Sequence, residues 1–259
     1  MKKSTFVFLF SLAGALLLIF ILLPLLSTLL NTTPEGLAAA TGDPEVGNSI
    51  SLTFMASGIA TLLALLTGLP LAYLLARYHF KGKRLVESVI DLPLVIPHTA
   101  AGIALLMVFG RQGVLGPWLA ALGLTFTDSL AGIVVAMAFV SLPYLVDFSR
   151  EAIRLIDPEM ERVALIDGAT QWQAFWHVTL PLAWRGVVSG MLMMWARGIS
   201  EFGAVVILAY HPKVVTVLLY ERFEGFGLNA GLPVAAILIV VALVAFILLR
   251  LVLLPARDE

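Results

Sequence analysis

Arg197 and Glu201 stand four residues apart in WARGISEFGAVVILAY, a stretch otherwise suited to an apolar environment. Four residues is about one helical turn, so the guanidinium and the carboxylate share a face and can pair. Ionisable groups are costly in hydrocarbon, which makes such a pair a candidate for function. Counted from Gly186, where the apolar run begins, Arg197 falls about 16 Å along a helix, near mid-bilayer. Two readings stay open: an ion pair bracing neighbouring helices, or the lining of a polar pathway. Catalysis is remote, because Gly198-Ile199-Ser200-Glu201 lacks the final glycine of a serine intramembrane protease motif and no His partner is placed.

A second polar group, DLPLVIPHTAAG, places Asp91, Pro93, Pro97 and His98 at the start of another apolar run. Proline removes a backbone donor and bends a helix, tolerated in a membrane only where protein or a cavity satisfies the freed groups. The plain expectation is a kinked helix start near the cytoplasmic face with Asp91 as its cap. The functional alternative puts Asp91 and His98 on a translocation path with Arg197 and Glu201. Asp147 belongs at the interface, where charge costs little. Gly186 and Gly190 have the spacing that lets two helices pack closely.

His79, His98, His177 and His211 show no metal-ligand spacing, and cysteine is absent. No metal, thiol chemistry, disulfide or cofactor is therefore expected. A G-x-x-x-x-G-K-[ST] phosphate loop is missing; Gly82-Lys83-Arg84 lacks its spacing and its hydroxyl. The chain should be no enzyme. A net charge of −1 argues against nucleic acid as a partner.

The elements that position these residues follow from composition. With 60% hydrophobic and 13% charged residues, a chain of 259 cannot keep a wetted exterior as a soluble domain. It belongs in a lipid bilayer, as a multi-pass protein of the cell membrane. A helix needs about 20 apolar residues to cross. Six segments approach that length: 6–30, 50–76, 89–109, 130–146, 186–210 and 230–254. The expected fold is therefore an all-α membrane protein of six transmembrane helices in a single domain, 1–259. The first segment, behind Lys2 and Lys3, is too long for a signal-peptide core and reads as an uncleaved helix. Residues 31–49 read as an outer loop, rich in proline and glycine. Placing the N-terminus inside puts twelve Lys and Arg residues, Lys2 and Arg257 among them, on the cytoplasmic side. Only Arg111, Lys213 and Arg222 then lie outside, so both termini should be cytoplasmic, N-in/C-in. No internal repeat of the inverted-repeat carriers is visible.

One long segment, about 148–185, is left on the cytoplasmic side. Pro158 can open a helix there, with Asp157 capping it. Val163, Ile166, Ala169 and Ala174 alternate with Glu159, Glu161, Arg162 and Asp167 at helical spacing. Gly168 permits a sharp turn between two short helices. Trp172, Phe175 and Trp176 offer the aromatic surface favoured at interfaces, and Pro181 should end the insert before the next span. An interfacial helix lying on headgroups and a protein-docking element explain the residue types equally well.

The spacing of Ala164, Gly168 and Val178-Thr179-Leu180-Pro181 resembles the coupling loop of ABC-transporter permeases. Arg162 and Val163 stand where that loop has Glu and its first Ala, with Glu161 one place early. DLPLVIPHTAAGIALLMVFG and WARGISEFGAVVILAY resemble the sulfate–molybdate–tungstate branch, the archaeal-type molybdate/tungstate permeases above all. The likeness runs from about Ile50 to Leu249. It implies a type I importer-like permease acting as a homodimer, with two cytoplasmic ATPase subunits and an extracytoplasmic oxyanion-binding protein. It also assigns Glu161, Arg162, Val163, Ala164, Gly168, Trp172, Leu180 and Pro181 to the ATPase coupling loop. The expected function is ATP-driven import of molybdate or tungstate, with sulfate or thiosulfate second. A proton-coupled secondary transporter using Glu201, Asp91 or His98 is the rival class. A membrane anchor for a sensor complex is a third.

Overall fold

A computed structural model describes residues 3–253, and among them helices are joined by short turns with no strand. In chain order these are α1 (Lys3–Leu30), α2 (Pro34–Thr41), α3 (Pro44–Arg77), α4 (Lys83–Val95), α5 (His98–Phe109), α6 (Gly116–Ala121) and α7 (Leu130–Arg154). They continue as α8 (Pro158–Ile166), α9 (Gln171–Ala174), a π-helical turn (Phe175–Thr179), α10 (Leu180–Ile199), α11 (Gly203–Leu208), α12 (Val215–Phe226) and α13 (Leu228–Leu253). Lys2, Arg257 and Leu254, the last residue of the expected sixth span, lie outside the described residues.

Four described helices are long and apolar enough to cross a membrane: Thr5–Leu30, Pro44–Arg77, Leu130–Arg154 and Leu228–Leu253. The third expected span is not one helix. α4 and α5 meet at 113° across Ile96 and Pro97, so together they form a broken span or a re-entrant loop. Ile96 precedes a proline and is pushed to extended backbone, ψ 146°, which stops α4. The fifth expected span also breaks. α10 ends at Ile199, and after Ser200–Phe202 the short α11 begins. α10 carries Arg185 and Arg197 and is not among the four long apolar helices.

Three further expectations are corrected. Residues 31–49 are mostly helical, because Thr33 and Asp43 cap α2 and α3 with a proline in the first turn of each. Asp91 caps nothing: α4 begins at Gly82, whose φ of 89° suits glycine, and Asp91 lies well inside it. Pro181 does not end the insert before a new span. It sits in the first turn of α10, and the helical run is continuous from Gln171 through the π-turn to Ile199.

The centre is α3, α7 and α10 packed side by side, with α5 and α11 against α7. Lipid tails are as apolar as leucine, so close backbone approach rather than water exclusion drives such packing. The sequence supplies small residues for it. A Cβ on Gly190 would meet Phe148 Cβ at 3.0 Å, and one on Gly186 would run into Ala152, so the glycine pair seats α10 on α7. On α3, buried Thr53 and Ser57 bind across helices: Ser57 Oγ donates to the Trp195 carbonyl at 2.7 Å, and Thr53 Oγ1 accepts from Val215 N–H at 2.8 Å. α1 is apolar along its length and packs against α13. A helix of that kind belongs in lipid.

Candidate functional site

The two helix breaks face each other. Gly102 and Gly203 let α5 and α11 touch: a Cβ on Gly203 would lie 2.8 Å from His98 Cβ, and one on Gly102 would lie 3.0 Å from Ala204 Cα. That approach brings His98, the first residue of α5, to the gap after α10. There Glu201 is the one fully buried acid among the described residues, its side chain 1% exposed. Glu201 Oε1 accepts from Ala204 N–H at 2.8 Å, at the start of α11. Oε2 lies 2.9 Å from Arg197 Nη2 and 3.0 Å from His98 Nδ1. Arg197 Nη2 also reaches His98 Nε2 at 2.8 Å, and Nη1 donates to Ser200 Oγ at 3.1 Å. Arg197 Nη2 lies 2.7 Å from His98 Nδ1 as well, so the guanidinium meets both ring nitrogens and the imidazole's tautomer sets which of them accepts. Thr216 Oγ1 closes the group by donating to the Glu201 carbonyl at 2.7 Å.

One guanidinium and one carboxylate pair here, with the imidazole beside both. Burial decreases outwards, with Arg197 20% and His98 35% exposed. The carboxylate is thus the hidden member and the guanidinium the partly accessible one. Arg197 lies in the last turn of α10, about 26 Å from its start at Leu180. It therefore sits at a helix C-terminus. Free carbonyls there favour a cation.

Asp91 does not join this group. It faces Asp147 of α7, whose Oδ1 lies 3.1 Å from Arg150 Nη2, while Arg150 Nη1 is 3.3 Å from Glu87. Sequence spacing paired Arg197 with Glu201, and His98, grouped with them there as a path residue, comes from 99 residues away to complete the cluster. Proline at 97 was the available signal, since it places His98 at a helix start.

The insert is a second feature. Asp157 Oδ1 caps α8 by accepting from Glu159 N–H at 3.0 Å. Gly168, at φ 93°, turns the chain. Thr170 and Gln173 form a reciprocal capping box on α9. No residue of α8 is buried: Val163 and Ile166 are exposed, and Trp172 of α9 is 70% exposed. Glu161, by contrast, is half-buried, its side chain 12% exposed. Its carboxylate accepts from Tyr73 Oη at 3.1 Å, Arg77 Nε at 2.8 Å and Thr179 Oγ1 at 2.7 Å, tying α8 to α3 and to the π-turn. Arg162 is exposed beside Glu159. Val163 and Pro181 are therefore exposed, whereas Ala164 and Leu180 are half-buried.

Two helix breaks thus face each other around a small polar cluster, and an exposed insert begins the helical run that ends at that cluster. The chain belongs to the family of binding-protein-dependent transport system inner membrane components, whose model matches residues 68–256. The molybdate/tungstate transport system permease protein of Thermococcus kodakarensis is 37% identical, over 96% of this chain and 97% of its own. The protein of that name from Methanocaldococcus jannaschii is 39% identical, over 91% and 92%. The sulfate transport system permease protein CysT of Escherichia coli is 32% identical, over 78% and 74%. Among solved structures, a bacterial ABC transporter that imports alginate matches with a TM-score of 0.74 at 19% identity, covering 96% of this chain and 95% of that one. The fold is that of an ABC-importer membrane subunit.

Proposed function

We propose that this chain is the membrane-spanning subunit of an ATP-driven importer of molybdate or tungstate. In this reading it crosses the membrane six times from cytoplasmic N-terminus to cytoplasmic C-terminus, as the positive residues favour. It works as a homodimer, receives the anion from an extracytoplasmic binding protein and is driven by two ATPase chains seated on residues 148–185. The observation that carries the substrate class is identity of 37–39% to permeases named for molybdate and tungstate along nearly the whole chain. Sulfate is the second choice, favoured by the 32% identical sulfate permease. Dependence on a binding protein agrees with the family and with a related alginate transporter solved with its periplasmic protein.

The geometry suits the task. Glu201 and His98 hold Arg197, and the Glu201 carboxylate offsets its charge, leaving part of its donor set open. A guanidinium so balanced offers a passing dianion a contact without a deep electrostatic trap. The insert and this cluster sit towards opposite ends of one helical run, Gln171–Ile199, and Glu161 ties the insert to α3. Movement of the exposed surface of α8 and α9 is thereby carried to the helix breaks.

Purified with its ATPase and the cognate binding protein, the chain should support ATP hydrolysis stimulated by molybdate-loaded binding protein. Equal hydrolysis with empty and loaded binding protein would overturn the substrate reading. Transport driven by a proton gradient without ATP would favour a carrier using His98 or Glu201.

A further inference from the structure

A cavity of about 1100 Å3 opens at the Arg77 end of α3, the end opposite the Asp43 cap. Its wall carries Arg77, Lys83, Arg84, Arg150, Arg154 and Arg162, against Glu87 as the one carboxylate lining it among the described residues. These six come from α3, α4, α7 and α8, so the fold gathers them from distant parts of the chain.

Their commitments differ. Arg77 is fixed by Glu161 at 2.7 Å, and Arg150 by Asp147 and Glu87, so both are held in place as a positive floor. Arg154 lies 3.8 Å from Glu151, and Arg162 pairs with Glu159, both on the exposed surface where such pairs are weak. Lys83 Nζ reaches only the Tyr78 carbonyl, at 3.4 Å, and no ion pair reaches Lys83 or Arg84 among the described residues. Gly82, in the same wall, starts α4 without a side-chain cap, which adds the positive end of a helix. Leu75 and Phe80 supply an apolar margin.

We propose that this cavity binds a phosphate-class oxyanion, supplied either by the headgroup of an anionic lipid or as a free anion. Guanidinium forks match the oxygens of such a group in pairs, and an ammonium adds a mobile point charge. Basic pockets between the ends of membrane helices are suited to anionic headgroups. The site is distinct from the Arg197 cluster, and it stands whether or not the chain transports molybdate.

The test uses the purified full chain, wild type and Lys83→Gln/Arg84→Gln. The double variant touches neither floor pair, so it should fold with an unchanged thermal midpoint in neutral detergent without anion. One arm titrates inorganic phosphate in that detergent. The other compares vesicles of phosphatidylcholine with vesicles of equal parts phosphatidylcholine and phosphatidylglycerol, and counts lipids retained on extraction by native mass spectrometry. The wild type should show a saturable rise in midpoint in the phosphate arm if the anion is free. If the source is a headgroup, it should retain phosphatidylglycerol but not respond to phosphate. Either response should weaken at least tenfold in the double variant and persist in Lys83→Arg. Absence of a saturable response in both arms, or equal responses in wild type and double variant, would overturn the proposal. Should the double variant not fold, Arg84→Gln alone serves, with about threefold weakening expected and none contradicting it.

Discussion

Trp172 and Arg197 stand towards opposite ends of one unbroken helical run, Gln171–Ile199, about 38 Å apart along it. Trp172 is exposed on the insert, and Arg197 is bound to Glu201 and His98 where the run stops. The π-turn Phe175–Thr179 lies between them, a local irregularity of a kind frequent at functional sites.

Arg197→Ala should destabilise the chain by about 3 kcal/mol, because it leaves the Glu201 carboxylate buried with His98 and one backbone N–H. The double variant Arg197→Met/Glu201→Gln should recover most of that loss. If the guanidinium also touches the anion, the double variant should fold yet transport poorly. Thermal midpoints and uptake of both variants, measured on one preparation, check this. Normal stability and uptake of Arg197→Ala would remove both roles.

Glu161 and Arg162 should behave oppositely although they are neighbours. Glu161→Ala unpairs Arg77 and frees Tyr73 and Thr179, all partly or fully buried, and should cost about 3 kcal/mol or more. Arg162→Ala removes an exposed pair and should cost about 0.5 kcal/mol or less. Denaturation midpoints of the two purified variants compare them directly. Equal effects would contradict the assignment of Glu161 to the internal tie.

Gly168 faces open space, so a substitution there meets strain and no clash. Gly168→Ala should lose about 1–2 kcal/mol through its left-handed φ of 93°. Trp172→Ala should leave stability nearly unchanged while reducing copurification with the ATPase, since the ring is mostly exposed. Undiminished copurification of Trp172→Ala would exclude that ring from the docking surface.

The Asp43 end of α3 is joined to α12 and the turn before it by ion pairs that depend on pH. The Arg222 guanidinium, with the Glu45 N–H behind it, holds the Asp43 carboxyl below the usual range. Lys213 does the same for Glu221 and is itself raised by that partner. Lowered acids contribute stability that is full above the unfolded value, about 4, and is lost as pH falls through the folded value beneath it. Raised Lys213 contributes fully below about 10.4 and loses it only at higher pH. Hydrogen exchange in residues 34–49 should therefore stay protected from pH 5 to 8 and open below about 4. Asp43→Asn should remove much of that acid limb; an unchanged acid limb would show the pairs to be irrelevant there.

Hydropathy made the long apolar helices legible, because α1, α3, α7 and α13 are continuous runs. It could not show that α4–α5 and α10–α11 break, since the cause at Ile96–Pro97 is local backbone sterics and the packing at Gly102 and Gly203 is tertiary. For the same reason Arg197 and Glu201 were visible as a pair at helical spacing, while His98 could be grouped with them only as a path residue and its contact with both is tertiary. Asp91 read as a cap because two prolines follow it, whereas the glycine at 82 starts the helix earlier. The acid at 161 looked misplaced by one position against the family spacing. Its buried contacts with Arg77 and Thr179 explain that position without reference to any partner chain.

Uptake into sealed vesicles tests the central claim most directly. Vesicles holding this chain and its ATPase, given the binding protein outside and ATP inside, should accumulate molybdate or tungstate against a gradient. Uptake should stop without ATP and persist when the proton gradient is collapsed. Accumulation that ignores ATP and follows the proton gradient, or none of either anion while sulfate accumulates, would contradict the account.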